Sequence, residues 1–236
     1  MHPHVRDFVT DVVEAVQLPD PVVEFGALQV EDQPGSDLRD LFTGRPYTGT
    51  DMRPGPGVDR VEDLRSLSYG DGSVGTAICL ETLEHCEDPI RACGELARVV
   101  APGGVLIASA PMLIGIHGYP SDYFRFTPAA FESLLRGFDD VWVGAYGEAG
   151  MPYWVFGVAA RGRTLGLTLE RLPRLAAHQA RFEAARGEFA IGPFHIGLRA
   201  LVGTVAKQLP RLASQRASDR GAQALSALRS ARRTPR

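Results

Sequence analysis

The chain has 236 residues, 44% of them hydrophobic and 22% charged, with a net charge of −3. That composition suits a globular α/β domain with a buried core and some additional elements. It excludes a membrane-spanning helix, because no uninterrupted apolar stretch reaches about 18 residues. The opening Met1-His2-Pro3-His4 lacks the charged and apolar regions of a signal peptide, so the sequence is expected to be cytoplasmic.

Taken in chain order, Val5, Phe8, Val9, Val12, Val13 and Val16 repeat at helical spacing and predict a helix over 4–17. Pro19 and Pro21 stop it. Residues 22–26 read as a short buried strand ending in Gly26. Residues 36–42 read as a short helix, 47–52 as a second strand and 60–62 as a third. A fourth strand spans 74–80. The next helix, over 89–100, is expected to bury Ile90, Cys93, Leu96, Ala97 and Val100.

Pro102-Gly103-Gly104 is a turn signal ahead of a fifth strand over 105–110. An aromatic-rich loop over 111–126 leads to a helix that Thr127 caps and Pro128 opens. Residues 141–146 and 154–160 form the last strand pair. Short buried strands alternating with helices predict a Rossmann-like, doubly wound, seven-stranded, mostly parallel sheet. Such a sheet binds ligands beyond the carboxyl ends of its strands.

The charge is unevenly spread. Residues 1–160 hold 10 Arg against 24 Asp and Glu, whereas residues 161–236 hold 14 Arg and one Lys against 4 acids. This shift places a domain boundary near Arg161, between a catalytic domain over 1–160 and a basic helical extension over 161–236. Within the extension, Phe194, Leu198, Leu201, Val202, Val205 and Leu209 fall at helical spacing, and 214–236 is Arg-, Ser- and Ala-rich and expected to be without fixed structure. Three roles stay open for the helix: docking on the acidic domain, a homodimer contact, and a peripheral contact with the inner membrane surface.

The three cysteines, Cys79, Cys86 and Cys93, are odd in number and lack the close pairs of a zinc site. They are expected to be small apolar residues in a reducing compartment. No metal centre is expected.

The strand ends carry the chemistry. In order they read Glu24-Phe25-Gly26-Ala27, Thr50-Asp51-Met52, Glu62-Asp63-Leu64 and Glu81-Thr82-Leu83-Glu84-His85, followed by Pro102-Gly103-Gly104. In that order and spacing they resemble the motifs of class I S-adenosylmethionine-dependent methyltransferases, nearest the type 11 or 23 group, over about residues 20–160. The segment from His117 to Pro128 also resembles a bacterial branch of that group.

The resemblance implies S-adenosylmethionine as cofactor and a role for each motif residue. Glu24, Gly26 and Ala27 would form the first loop, with backbone amides facing the methionine carboxylate. Asp51 would hold the ribose hydroxyls, with Met52 against adenine. Asp63 would accept the adenine amino group beside Leu64, and Glu81 and Thr82 would line the methionine end. His85 and His117 are the candidate bases, because a histidine near its ordinary pKa accepts a proton at neutral pH. Tyr119, Asp122, Tyr123 and Arg125 would shape the acceptor pocket, with Asp122 and Arg125 pairing to each other as the alternative.

The pattern departs from Glu-x-Gly-x-Gly-x-Gly at Leu28 and Val30, where the second and third glycines stand in the family. That departure motivates a competing expectation, a scaffold that keeps the fold without binding the cofactor. It weighs more heavily against a nicotinamide oxidoreductase, because pyrophosphate needs the close backbone approach. The charge of the first 160 residues argues against a nucleic-acid substrate. A small-molecule acceptor, or a sugar or glycolipid, methylated at a hydroxyl oxygen, is the favoured expectation.

Overall fold

The computed structural model describes residues 2–29, 36–118, 120–184, 190–191 and 194–195. The chain divides into two compact units, Met1–Ala180 and Arg181–Arg236. The packing boundary therefore lies beyond the composition shift at Arg161. In the second unit two short strands, β8 (Ala190–Ile191) and β9 (Phe194–His195), pair antiparallel. The rest of the helix expected over 194–209, and the Arg-rich tail over 214–236, lie outside the described residues.

The first unit contains helix α1 (Pro3–Ala15) and strands β1 (Val22–Phe25), β2 (Tyr47–Asp51), β3 (Arg60–Val61) and β4 (Val74–Leu80). These are followed by α2 (Pro89–Val99), β5 (Val100–Pro111), α3 (Pro128–Leu134), β6 (Asp140–Glu148) and β7 (Met151–Ala160). Helix α4 spans Pro173–Ala184, with residues 173–180 in the first unit. The seven strands form one sheet in the order β3-β2-β1-β4-β5-β7-β6. The first five are parallel, and β7 runs antiparallel to both β5 and β6. All four residues of β1 and all seven of β4 are buried, as strands covered on both faces must be.

Each face of the sheet has its own core. On one face, α2 and α3 bring Ala92, Cys93, Leu96, Phe131 and Leu135 against Val23, Phe25, Cys79 and Leu106. On the other, α1 brings Val5, Phe8, Val9 and Val12 against Ile78, Ile107, Phe156 and Val158. Leu172 and Leu175, at the start of α4, extend that second layer. The α4 N-terminus is fixed by the buried Asp11 of α1. Its Oδ2 accepts the amides of Arg174 and Leu175, both at 2.9 Å, while Arg174 Nη1 pairs with Oδ1 at 2.9 Å. An anion at a helix N-terminus answers both the free amides and the dipole.

Several sequence expectations need correction. The segment expected as a helix over 36–42 forms only one tight 3₁₀ turn, Arg39–Phe42. Ile90 is 69% exposed, because the buried stripe of α2 runs through Ala92, Cys93, Leu96 and Val99 and leaves it beside the interface. Pro102-Gly103-Gly104 does not precede β5 but interrupts it. Val74 pairs with Val100 and Thr76 with Val105, so the intervening residues bulge from the ladder, with Gly103 at φ +81°. Other signals are realised as written: Thr127 Oγ1 accepts the amide of Ala130 and caps α3. Helix α4 falls within the extension expected to be helical, though sequence spacing does not set its bounds, and the strands β8 and β9 are not anticipated.

Candidate functional site

A cleft of about 620 Å³ opens at the carboxyl ends of β1, β2 and β4, within the range of about 300–1,000 Å³ usual for small-ligand sites. It is lined by Glu24, Gly26, Ala27, Asp51, Met52, Asp63, Leu64, Glu81 and Thr82, and by His85, His117 and Tyr123. Nine motif residues, two candidate bases and one pocket residue, distant in sequence, thus share one wall.

The first loop is built around Gly26. Its φ is +92°, and a Cβ placed there would lie 2.0 Å from Thr82 Oγ1 and 2.9 Å from Thr82 Cγ2. Only glycine meets both the conformation and the contact. The amides of Gly26 and Ala27 do not face the cleft: both donate to the Thr50 carbonyl at 2.8 Å. The expectation that they would face a carboxylate is therefore corrected, because the loop turns tightly enough to return both donors to β2. Leu28 is accommodated opposite a glycine, for a Cβ on Gly55 would meet its Cδ1 at 2.4 Å. Val30 lies outside the described residues.

Glu24 is buried, receives the Tyr47 hydroxyl and has its pKa pushed up to about 7 by burial. Asp51 closes β2 with Oδ1 accepting the Arg53 amide at 2.9 Å, while its Oδ2 accepts from no described residue. Asp63 accepts Arg65 Nη2 on Oδ2 at 2.8 Å and the Arg65 amide on Oδ1 at 2.9 Å. The Arg65 guanidinium, which also reaches Glu87 at 2.8 Å, holds the Asp63 carboxyl below the usual range. Met52 is half exposed at the cleft mouth.

At the end of β4, Glu81 adopts φ 49°, the left-handed region a glutamate rarely occupies. Its amide is held by the Ser109 carbonyl at 2.9 Å and its Oε1 by Trp154 Nε1 at 2.8 Å. Thr82 Oγ1 donates to the Leu80 carbonyl at 2.8 Å. Trp154, which also lines the cleft, and His2, whose ring lies 4.6 Å from the indole, are site residues that sequence reasoning missed. Neither carries a local motif; β7 and the start of α1 bring them in.

The two histidines meet edge to face, ring centroids 5.0 Å apart. His85 Nδ1 lies 2.6 Å from the Ser121 carbonyl. A carbonyl only accepts, so Nδ1 carries the proton and Nε2 keeps its lone pair. Burial pushes the His85 pKa down, which keeps the ring neutral. His117 Nδ1 faces two acceptors, the Gly115 carbonyl at 3.2 Å and Asp122 Oδ2 at 3.3 Å, so Nδ1 is the nitrogen that carries a proton in its neutral ring.

Asp122 and Arg125 are not part of the cleft lining. They pair with each other, Nη2 to Oδ2 at 2.6 Å, and Asp122 also accepts the His117 amide at 2.8 Å. They scaffold the loop that carries His117, so their place in the acceptor pocket is corrected. Tyr119 lies outside the described residues. All three cysteines are free; Cys79 and Cys93 are buried in the core and Cys86 is half-buried beside it.

Strand order, the antiparallel final pair and a cleft at the strand carboxyl ends define a Rossmann-like methyltransferase fold. The family model described as "Methyltransferase domain" matches residues 47–108, from the start of β2 into β5. No curated protein matches the chain. Among solved structures, a chain of the Haloferax volcanii complex between the Trm112 methyltransferase activator and a methyltransferase is 16% identical with a TM-score of 0.51. The match covers 68% of this chain and 90% of that one. Phosphoethanolamine N-methyltransferase 2 of Haemonchus contortus, in complex with phosphomonomethylethanolamine and S-adenosylhomocysteine, is 11% identical with a TM-score of 0.50, covering 67% and 53%. At these identities the likeness is one of fold. With the domain match it bears out the resemblance to class I S-adenosylmethionine-dependent methyltransferases, whose cofactor is S-adenosylmethionine.

The residues present fit that cofactor at its adenosine end: Asp51 Oδ2 accepts from no described residue, as a ribose ligand would require, and Met52 is half exposed, as a contact with adenine would require. The many carboxylates of the lining suit a cationic sulfonium. At the methionine end the fit rests on side chains, because the first-loop amides are already engaged.

Proposed function

We propose that this protein transfers the methyl group of S-adenosylmethionine to a hydroxyl oxygen of a small-molecule or sugar acceptor. The observation that carries the reading is the convergence of the strand-end acids with the paired His85 and His117 rings in one cleft. Bound S-adenosylmethionine supplies an activated methyl on a cationic sulfur. Asp51 holds the ribose, and Glu81, locked by Trp154 and Ser109, fixes the wall at the methionine end. Positioning of this kind supplies roughly 7–11 kcal/mol of barrier reduction.

A hydroxyl acceptor must also lose a proton. The Nε2 atoms of His85 and His117 are the proposed proton acceptors, and base assistance contributes about 10²–10⁴-fold. The proposed hydroxyl class rests on the bases that would serve it.

The test is isothermal titration with S-adenosylmethionine and S-adenosylhomocysteine beside Asp51→Ala. Micromolar binding that the substitution weakens at least tenfold supports the reading and opens an acceptor screen. Folded protein without binding favours the scaffold alternative, which the engaged Gly26 and Ala27 amides and Leu28 motivate.

A peripheral membrane role for the basic extension remains a second proposal, resting on its charge. Among the described residues no helix is long and apolar enough to cross a membrane. Liposome co-sedimentation should compare the full chain with a truncation after Ala184, since Leu172, Arg174 and Leu175 belong to the α1 core. Equal behaviour of the two sinks the idea.

A further inference from the structure

Glu84 has no place in the reaction proposed above, yet it is the most conspicuous polar group of the cleft wall. Its side chain is fully buried, and neither carboxyl oxygen has a hydrogen-bond partner. Burying a carboxyl with nothing to bond is costly, and such groups are ordinarily paired or bound to a cation. The backbone does not leave it there by accident. The Glu84 carbonyl accepts the Tyr123 amide at 2.8 Å, tying the residue to the loop that carries His117.

Two further ligating groups face it. Glu84, His85 and His117 each offer one ligand atom, and the three atoms lie within 4.8 Å of one another. Glu84 Oε1 is 3.9 Å from His85 Nε2. A divalent ion about 2.0–2.1 Å from each ligand requires separations of about 3–3.5 Å, so the three side chains would draw together by up to about 1–2 Å on loading. Both imidazoles are already arranged as metal-bound histidines are. Each Nδ1 hydrogen is directed at an oxygen, the Ser121 carbonyl for His85 and the Gly115 carbonyl with Asp122 for His117. That outer hydrogen bond fixes the tautomer and leaves Nε2 to bind.

We propose that Glu84, His85 and His117 form a binding site for a first-row divalent transition-metal ion on the wall of the cleft. Two imidazoles and one carboxylate are the donors such ions prefer, whereas magnesium and calcium favour all-oxygen sets. Three protein ligands leave coordination positions open toward the cleft. This proposal departs from the sequence expectation of no metal. The three ligands are separated there by up to 33 positions, and the loop after β5 has to fold back before they meet. The two imidazoles serve as bases only in the ion-free protein; in the loaded protein they are ligands, so ion binding and base assistance compete for the same lone pairs.

The experiment uses the full chain, stripped with chelator and without cofactor. It is titrated with zinc and manganese by calorimetry, and with cobalt followed by its visible absorption. One ion should bind per chain, and Glu84→Gln and His117→Ala should each weaken it at least tenfold. His117 is partly exposed, so its substitution leaves folding intact even if Glu84→Gln does not; far-UV circular dichroism checks both. Absence of binding by all three ions overturns the proposal. So does binding that survives unchanged in His117→Ala, which places the ion at other histidines. Neither result touches the methyl-transfer reading, because cofactor titration and the Asp51→Ala control are independent of the ion.

Discussion

Replacing Gly26 by alanine tests the construction of the first loop. The new Cβ falls 2.0 Å from Thr82 Oγ1 and 2.9 Å from its Cγ2, on a backbone held at φ +92°. Forcing a side chain into positive φ costs about 1–2 kcal/mol, and overpacking a tight contact costs about 1–3 kcal/mol. The expected loss is therefore about 2–5 kcal/mol, a large share of the roughly 5–15 kcal/mol by which a domain is stable. In urea, with a slope near 2 kcal/mol per molar, the midpoint should fall by about 1–2.5 M. Adding Thr82→Ala separates the two contributions: it removes Oγ1 and Cγ2 but leaves φ untouched. The double variant should recover about 1–3 kcal/mol relative to additivity, a coupling expected only of groups in contact. A loss below about 0.5 kcal/mol for Gly26→Ala, or strict additivity of the two changes, would refute the argument that glycine is required by both contact and conformation.

Three other outcomes follow from the same geometry. Glu24, with its pKa raised to about 7 by burial, binds its proton more tightly folded than unfolded. It therefore stabilises the fold at low pH, and that contribution declines as pH rises from about 4.5 through 7. The decline, on the order of 3 kcal/mol, should vanish in Glu24→Gln when urea midpoints are compared between about pH 5 and pH 8. Trp154→Phe removes the 2.8 Å bond to Glu81 Oε1. Loss of a hydrogen bond to a charged group is worth about 1.5–3 kcal/mol, and S-adenosylhomocysteine should bind about tenfold more weakly by calorimetry. An unchanged affinity means that Glu81 needs no tether. Arg174→Ala strips the guanidinium from buried Asp11, while the two backbone amides remain, so thermal melts should show a loss of about 1–3 kcal/mol.

Much of the fold is legible in the sequence because its strands are buried on both faces and therefore written as short apolar runs. Val74–Leu80 is the plainest case, and its carboxyl end carries Glu81 and His85 as the sheet rule requires. What is not legible depends on contacts between distant segments. The composition of 161–236 advertises a break at Arg161, but Arg174 and Leu175 must still return to Asp11 on α1. The Gly26 and Ala27 amides read as open to a ligand until β2 supplies the Thr50 carbonyl. Glu84 looks like an ordinary polar residue opening a helical turn; only the packed loop over 114–126 reveals that it is sealed from solvent. Trp154 and His2 belong to no motif and reach the cleft through tertiary packing alone.

The sheet order has a consequence for how the chain is made. β7 is the last of the seven strands to be synthesised, yet it lies between β5 and β6 rather than at the rim. Until residue 160 has left the ribosome, β5 presents an unpaired apolar edge, with Val105 and Ile107 flanking it, and β6 has no neighbour in the sheet. Bare strand edges are templates for pairing with other chains. A nascent chain halted in the loop over 111–126 would already hold most of the residues of the cleft, but on a sheet still open to aggregation. Insertion of one strand closes the edge, delivers Trp154 to Glu81 and completes both hydrophobic layers, so assembly of the site and protection of the chain arrive in the same event.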